Sequence, residues 1–200
     1  LSRTEFKGQK LFDYLPQFKD WLMCASIDGT GDIVEFIRKG IVWEEWLENF
    51  KEGLAAPGGK DKMLFDLTIT GPGMFSIKDL FDLSLELDVR IETKIMFAFH
   101  PDIIFSPFAW PKHILARKID ELLEYIEPRA TKKQATLVNT LREMRNRPSF
   151  EEDYPEQFVQ GKKNGKGFQD RLDEIRDEKI TIADIYKADD ELYEWWINND

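Results

Sequence analysis

Cysteine is nearly absent. Cys24 is the only one in 200 residues, which excludes an intrachain disulfide and any metal centre built from several thiolates of this chain. Histidine is almost as scarce: His100 and His113 stand thirteen positions apart across a proline-containing loop. A zinc site needs three or four converging ligands, so no metal-ligating residue is assigned. His100 is a candidate proton donor, because imidazole titrates near neutrality, with packing or capping as the alternative. No apolar run approaches the roughly 20 residues of a membrane span. The first residues, LSRTEFKGQK, hold neither an initiator methionine nor the apolar core of a signal peptide. The chain therefore reads as the middle of a longer polypeptide, and its single thiol fits a reducing, cytoplasmic setting. Positive charge is in deficit, with 28 Lys and Arg against 38 Asp and Glu and a net charge of −10. That balance opposes binding to nucleic acid or anionic membrane. No glycine-rich phosphate loop with a following lysine occurs, and no persuasive Ser-His-Asp set.

What is present is a globular composition, 42% apolar and 33% charged. The N-terminal KLFDYLPQFK puts Leu11, Phe12, Leu15 and Phe18 on one helical face, with Pro16 ending it. The run WLMCASI (21–27) is short, continuous and apolar, as in a strand buried on both faces, and Cys24 inside it reads as an inert core thiol. Asp32 and Glu35 have capping-box spacing, and Gly40 stops that helix. Trp43, Trp46, Leu47 and Phe50 recur at i, i+3, i+4, i+7, predicting an amphipathic helix over 42–52. KMLFDLTIT (62–70) and RIETKIMFAF (90–99) predict two more strands, with a helix capped by Ser76 between them. Strands separated by helical crossovers pair in parallel. From Pro111 onward the pattern is helical: 111–126, then 131–147 behind a Thr131/Gln134 cap. The segment 148–167, with KKNGKG, predicts a loop, and the remainder a broken helix ending in Leu192, Trp195 and Trp196.

In parallel α/β folds, ligands bind beyond the carboxyl ends of the strands. Those ends carry Ser26 and Asp28, then Thr68 and Thr70, then Phe99 and His100. Ser26 and Asp28 are two apart and point the same way in extended chain. A carboxylate can accept both hydrogen bonds of a ribose diol, and the Arg38 guanidinium can grip a carboxylate bidentately. A plainer reading stays open for all three. Asp28-Gly29 is a turn dipeptide, Ser26 can bond local backbone, and Arg38 at a helix end can pair with Glu35.

The stretch SIDGTGDIVEFIRKG…WEEWLENF resembles the fourth-strand region of radical SAM enzymes, above all the SPASM/twitch subgroup. The matching residues are Ser26-Ile27-Asp28-Gly29, Ile37-Arg38 and Asn49-Phe50. MLFDLTIT…SIKDLFDLSLELDV is similar to the fifth strand and its helix, and IMFAFHPDIIFSPFAWP to the sixth-strand region. The resemblance spans about residues 10–115. It implies a site for S-adenosylmethionine (SAM) in which Ser26 contacts the ribose, Arg38 the methionine carboxylate, and Asp28 shapes the turn or lies behind the contact residues. It also implies reductive SAM cleavage at a 4Fe–4S cluster and hydrogen abstraction from a substrate, with a peptide or protein as the substrate class.

The chain departs from that family in three places. The Cys-xxx-Cys-xx-Cys motif that holds the cluster is missing, GPG (71–73) stands where an asparagine follows the fifth strand, and the tail lacks cysteines for an auxiliary cluster. The expected fold is thus α/β: a partial open (β/α) barrel of about three parallel strands over 1–109, with a helical C-terminal extension over 110–200. The expected role is the SAM- and substrate-binding half of an oxidoreductase, inactive alone, whose partner is the missing N-terminal barrel half that holds the cluster. The alternative is a non-catalytic fragment or degenerate homologue that binds a partner. Arg129, Lys132, Lys133, Arg142, Arg145 and Arg147, against Glu143 alone, make 129–147 locally basic. That stretch is either a docking helix for an acidic partner or a solvated face.

Overall fold

The computed structural model describes residues 1–97, 102–176 and 179–198. Its elements, in chain order, begin with a small antiparallel hairpin, β1 (Glu5–Phe6) and β2 (Gln9–Lys10), and a short helix α1 (Leu11–Tyr14). A 3-10 turn containing Pro16 follows. Then come β3 (Met23–Ile27), α2 (Gly31–Ile37), α3 (Trp43–Ala55), α4 (Gly59–Lys62), β4 (Met63–Ile69), α5 (Ile77–Glu86) and β5 (Arg90–Ile95). The C-terminal part is helical: α6 (Lys112–Ile126), α7 (Ala135–Asn146), α8 (Phe150–Asp153), α9 (Pro155–Arg176), α10 (Ile182–Tyr186) and α11 (Asp190–Ile197). No described helix is long and apolar enough to cross a membrane.

Strands β3, β4 and β5 form one parallel sheet in that order, not closed into a barrel. Its register sets Ser26 beside Asp66, and Asp66 beside Glu92. Because side chains alternate, that register sorts the sheet into two unlike faces. Ala25, Ile27, Phe65, Leu67, Ile69 and Ile91 are buried on one face. There α3 packs its aromatic stripe: Phe50 lies 4.6 Å and Trp46 6.1 Å, ring to ring, from Phe65. Each such large side chain contributes roughly 1.5–3 kcal/mol on burial. The other face carries Cys24, Ser26, Asp66, Arg90, Glu92 and Lys94 together with one buried apolar residue, Leu64, and has ion pairs Lys94–Asp66 at 2.6 Å and Arg90–Glu92 at 3.2 Å.

This two-sided character corrects the reading of 21–27 as a strand buried on both faces. β3 is an edge strand, paired only with β4 among the described residues. Cys24 is therefore exposed and is not a core thiol. The opposite edge is covered from within the chain. Thr93 Oγ1 and Thr140 Oγ1 are 2.6 Å apart, and Gln134 Nε2 donates to the Val89 carbonyl at 3.1 Å, laying α7 alongside β5.

The Thr131/Gln134 capping box forms as expected. The Asp32/Glu35 box does not: Thr30 is the N-cap of α2, and Glu35 instead accepts from the Trp43 amide at 2.9 Å and from Lys179 at 3.0 Å. Those contacts hold the Glu35 carboxyl below its ordinary range. The predicted loop over 148–167 is also overturned, because α8 and α9 occupy it. The buried face of α9 is Phe158, Lys162, Gly165 and Gln169, a helical spacing without the apolar residues that reveal one. The hydrophobic core runs on from Phe12 to Trp196. Within it Tyr186 is sealed between Trp110 and Trp196, and its hydroxyl accepts from Trp110 Nε1 at 3.0 Å.

The basic stretch is met by acids on neighbouring elements. Arg129 pairs with Asp82 at 2.8 Å, Lys133 with Asp88 at 2.8 Å, Arg142 with Glu127 at 2.8 Å and Arg145 with Asp120 at 2.6 Å. Such exposed pairs are worth little each, typically ~0–1 kcal/mol. They nonetheless offset the local positive excess.

Candidate functional site

The three parallel strands each deliver a residue to one cavity. Asp28 follows β3, Thr70 follows β4 and Met96 follows β5, and all three line a space of about 450 Å³. That falls within the roughly 300–1,000 Å³ usual for small-molecule sites. It lies where parallel sheets place ligands, beyond the strand carboxyl ends. Phe36, Ile37 and Arg38, from the end of α2, form one wall; Phe105 and three residues of α9 complete it.

Ser26, Asp28 and Arg38 converge. Arg38 Nε donates to Asp28 Oδ2, and Arg38 Nη2 donates to Ser26 Oγ at 3.0 Å. The alternative partner considered for Arg38, Glu35, is occupied elsewhere by Trp43 and Lys179. The local sequence explains the convergence. Alternation turns Ser26 and Asp28 to the same side of β3. Gly31, at φ +55°, lets the chain reverse into α2. That helix is only seven residues long, about two turns, so the arginine at its end returns over the strand it left.

The carboxylate and the guanidinium differ in burial: the Asp28 side chain is 6% exposed and that of Arg38 36%. Asp28 thus sits behind Arg38, while Arg38 reaches the cavity. Burial pushes the Arg38 guanidinium below its ordinary value, opposed by the charge of Asp66. The group stays cationic at any physiological pH.

The turn after β4 locks this arrangement. A Cβ on Gly73 would collide with the Asp28 carbonyl oxygen and with Thr70 Oγ1, and Gly73 N donates to Thr70 Oγ1 at 3.0 Å. Ser76 Oγ accepts from the Thr30 amide at 3.3 Å. Gly73 of GPG therefore lets two strand-end loops touch. Of the other strand-end residues, Thr70 is buried at the cavity, Thr68 is not among its lining, and Phe99 and His100 lie outside the described residues.

Sequence reasoning missed the contribution of α9, whose Phe168, Gln169 and Leu172 face the same cavity. A second recess, of about 250 Å³, lies on the far side of α2 between Glu35, Lys39 and Lys179. For a metal cluster the donor set does not fit. The chain has one cysteine, and the described residues hold no group of three His, Cys, Asp or Glu placed to bind a metal ion. The cavity lining brings together a cation, Arg38, a hydroxyl, Thr70, and the aromatic rings of Phe36, Phe105 and Phe168, while Ser26 reaches it only through its bond to Arg38 and is not itself part of the lining. No protein-family model, no curated protein and no solved structure matches this chain.

Proposed function

We propose that this chain is the SAM- and substrate-binding half of a radical SAM enzyme, its sheet being part of an open (β/α) barrel completed elsewhere. One observation carries the reading. The hydroxyl of Ser26 and the guanidinium of Arg38, twelve residues apart, meet at 3.0 Å at the carboxyl end of a parallel strand, and Arg38 lines a cavity that all three strands reach.

In this reading Arg38 receives the methionine carboxylate on the guanidinium edge that its internal bonds leave free. Ser26 turns its hydroxyl to the ribose. Asp28 is a positioning residue: it fixes the plane of the guanidinium and balances its charge, so that a bound carboxylate adds one negative charge to a neutral pair. The reductive cleavage that the resemblance implies needs thiolates this chain lacks, so its own part is binding, orientation and exclusion of water. The charged open face of the sheet, with Lys94–Asp66 and Arg90–Glu92, offers hydrogen-bonding surface to a peptide or protein substrate.

The test is isothermal titration of SAM into the 200-residue chain, comparing wild type with Arg38→Gln and Ser26→Ala, each checked for folding by circular dichroism. A lost charge-assisted hydrogen bond is worth roughly 1.5–3 kcal/mol, so Arg38→Gln should weaken binding about tenfold or more. Equal affinity for wild type and Arg38→Gln would remove Arg38 from the site, and with it the proposal.

A further inference from the structure

Helix α9 contributes Phe168, Gln169 and Leu172 to the cavity, and one of these side chains has an acceptor that no described residue engages. Gln169 is 2% exposed and lines the cavity. Its Nε2 donates to Asp173 Oδ1, one turn further along α9. That bond fixes the carboxamide, because the reverse orientation would press two oxygens together. It leaves Oε1 accepting no hydrogen bond from any described residue. That oxygen is not one of the fully buried atoms of the fold that lack a hydrogen bond, which are Trp46 Nε1 and Asp82 Oδ1 among the described residues; it is an acceptor on a residue that lines the cavity.

The surroundings say what kind of donor would fit. Phe36 and Phe105 stack on each other, ring centres 6.2 Å apart and inclined by 20°, within the cavity lining, and Phe168 adds a third ring from α9. An aromatic lining of this kind suits a ligand with a planar apolar group. Arg38 belongs to the same cavity and supplies a fixed cation. The ligand therefore needs an anionic group and a planar group that bears an N–H donor.

Building on the proposed SAM site, we infer that Gln169 is its specificity-determining residue and reads the amino edge of the adenine ring. The exocyclic amine donates to Gln169 Oε1, and the second N–H of Nε2 is available to an adenine ring nitrogen. This donor–acceptor pair is the one by which glutamine recognises adenine. Asp173 acts through Gln169 as a positioning residue. A hypoxanthine base carries a carbonyl at the amino position, so two acceptors would face each other there, and a buried polar group left unpaired discriminates strongly.

The experiment compares SAM with its deaminated analogue, S-inosylmethionine, by isothermal titration into the full chain. Wild type should prefer SAM by about tenfold or more. Gln169→Met should weaken SAM by about tenfold and leave the analogue unchanged, so that the preference collapses towards one. Arg38→Gln should weaken both ligands alike. Gln169→Asn, which keeps an amide but withdraws it by one methylene, should collapse the preference in the same way and serves if the methionine variant does not fold. A wild-type preference surviving in a folded Gln169 variant overturns the inference while leaving SAM binding intact. Equal affinity of wild type for both nucleosides overturns it as well. Failure of wild type to bind SAM overturns the site itself.

Discussion

Removing Arg38 should cost the fold more than neutralising Asp28, although each substitution breaks the same ion pair. The asymmetry comes from burial: 6% exposure for the carboxylate against 36% for the guanidinium. Arg38→Met keeps the alkyl stem but strands a buried carboxylate whose only hydrogen-bond donor among the described residues is Arg38. Truncating one partner of a fully buried pair costs about 3–5 kcal/mol, and an exposed pair is worth about 0–1 kcal/mol. With one partner buried and the other a third exposed, the intermediate figure is about 2–3 kcal/mol. Asp28→Asn leaves the guanidinium an amide oxygen, the Ser26 hydroxyl and a route to water, so about 1 kcal/mol is expected. The assay is urea unfolding followed by tryptophan fluorescence, for which the buried Trp46, Trp110 and Trp196 are reporters. The double variant should be less destabilised than the sum of the two singles, since the second change removes what the first one stranded. A cost for Asp28→Asn equal to or above that of Arg38→Met would refute the reasoning.

Other perturbations test the surrounding structure. Gly73→Ala forces a methyl group against the Asp28 carbonyl; overpacking of this kind costs roughly 1–3 kcal/mol, and thermal melting should fall by several degrees, whereas an unchanged melt would show that the two loops do not touch. Tyr186→Phe leaves the buried Trp110 Nε1 without its acceptor, for a loss of about 1–3 kcal/mol in denaturant unfolding. Lys162 is 7% exposed and lies 4.1 Å over the Trp195 ring, and burial pushes its ammonium down to about 8 from 10.5. An amine with a lowered folded value penalises the fold while both states are protonated, below about pH 8, and the penalty fades as pH rises from about 8 towards 10.5. Lys162→Met should therefore be at least as stable as wild type at pH 7, with its advantage shrinking by pH 10; an advantage that grows with pH would contradict this.

Much of the fold was legible because its signals are periodic. The three strands, the aromatic stripe of α3 and the apolar faces of α6 and α7 follow repeats of 2 or 3.6 residues, and these survive into the structure. The convergence of Ser26, Asp28 and Arg38 was legible for a related reason. Strand alternation and a short helix leave little freedom in where the three side chains go. What stayed hidden was whatever depends on neighbours distant in sequence. Cys24 looks like a core residue because the run around it is apolar, but burial is decided by whether anything covers that face of β3. Glu35 has capping-box spacing, yet Trp43 and Lys179 take its carboxylate. Helix α9 escaped because lysine, glutamine and glycine occupy its buried positions. The polar character that disguised it also reaches the cavity, where Gln169 is part of the lining.

The most direct measurement is a crystal structure of the chain grown with SAM. The methionine carboxylate should lie on the Arg38 guanidinium and the ribose within hydrogen-bond reach of Ser26, with the base against α9. SAM seated instead in the recess beside Glu35 and Lys179, or Arg38 and Ser26 bonded only to each other beneath a ligand that touches neither, would contradict the site proposed for this chain.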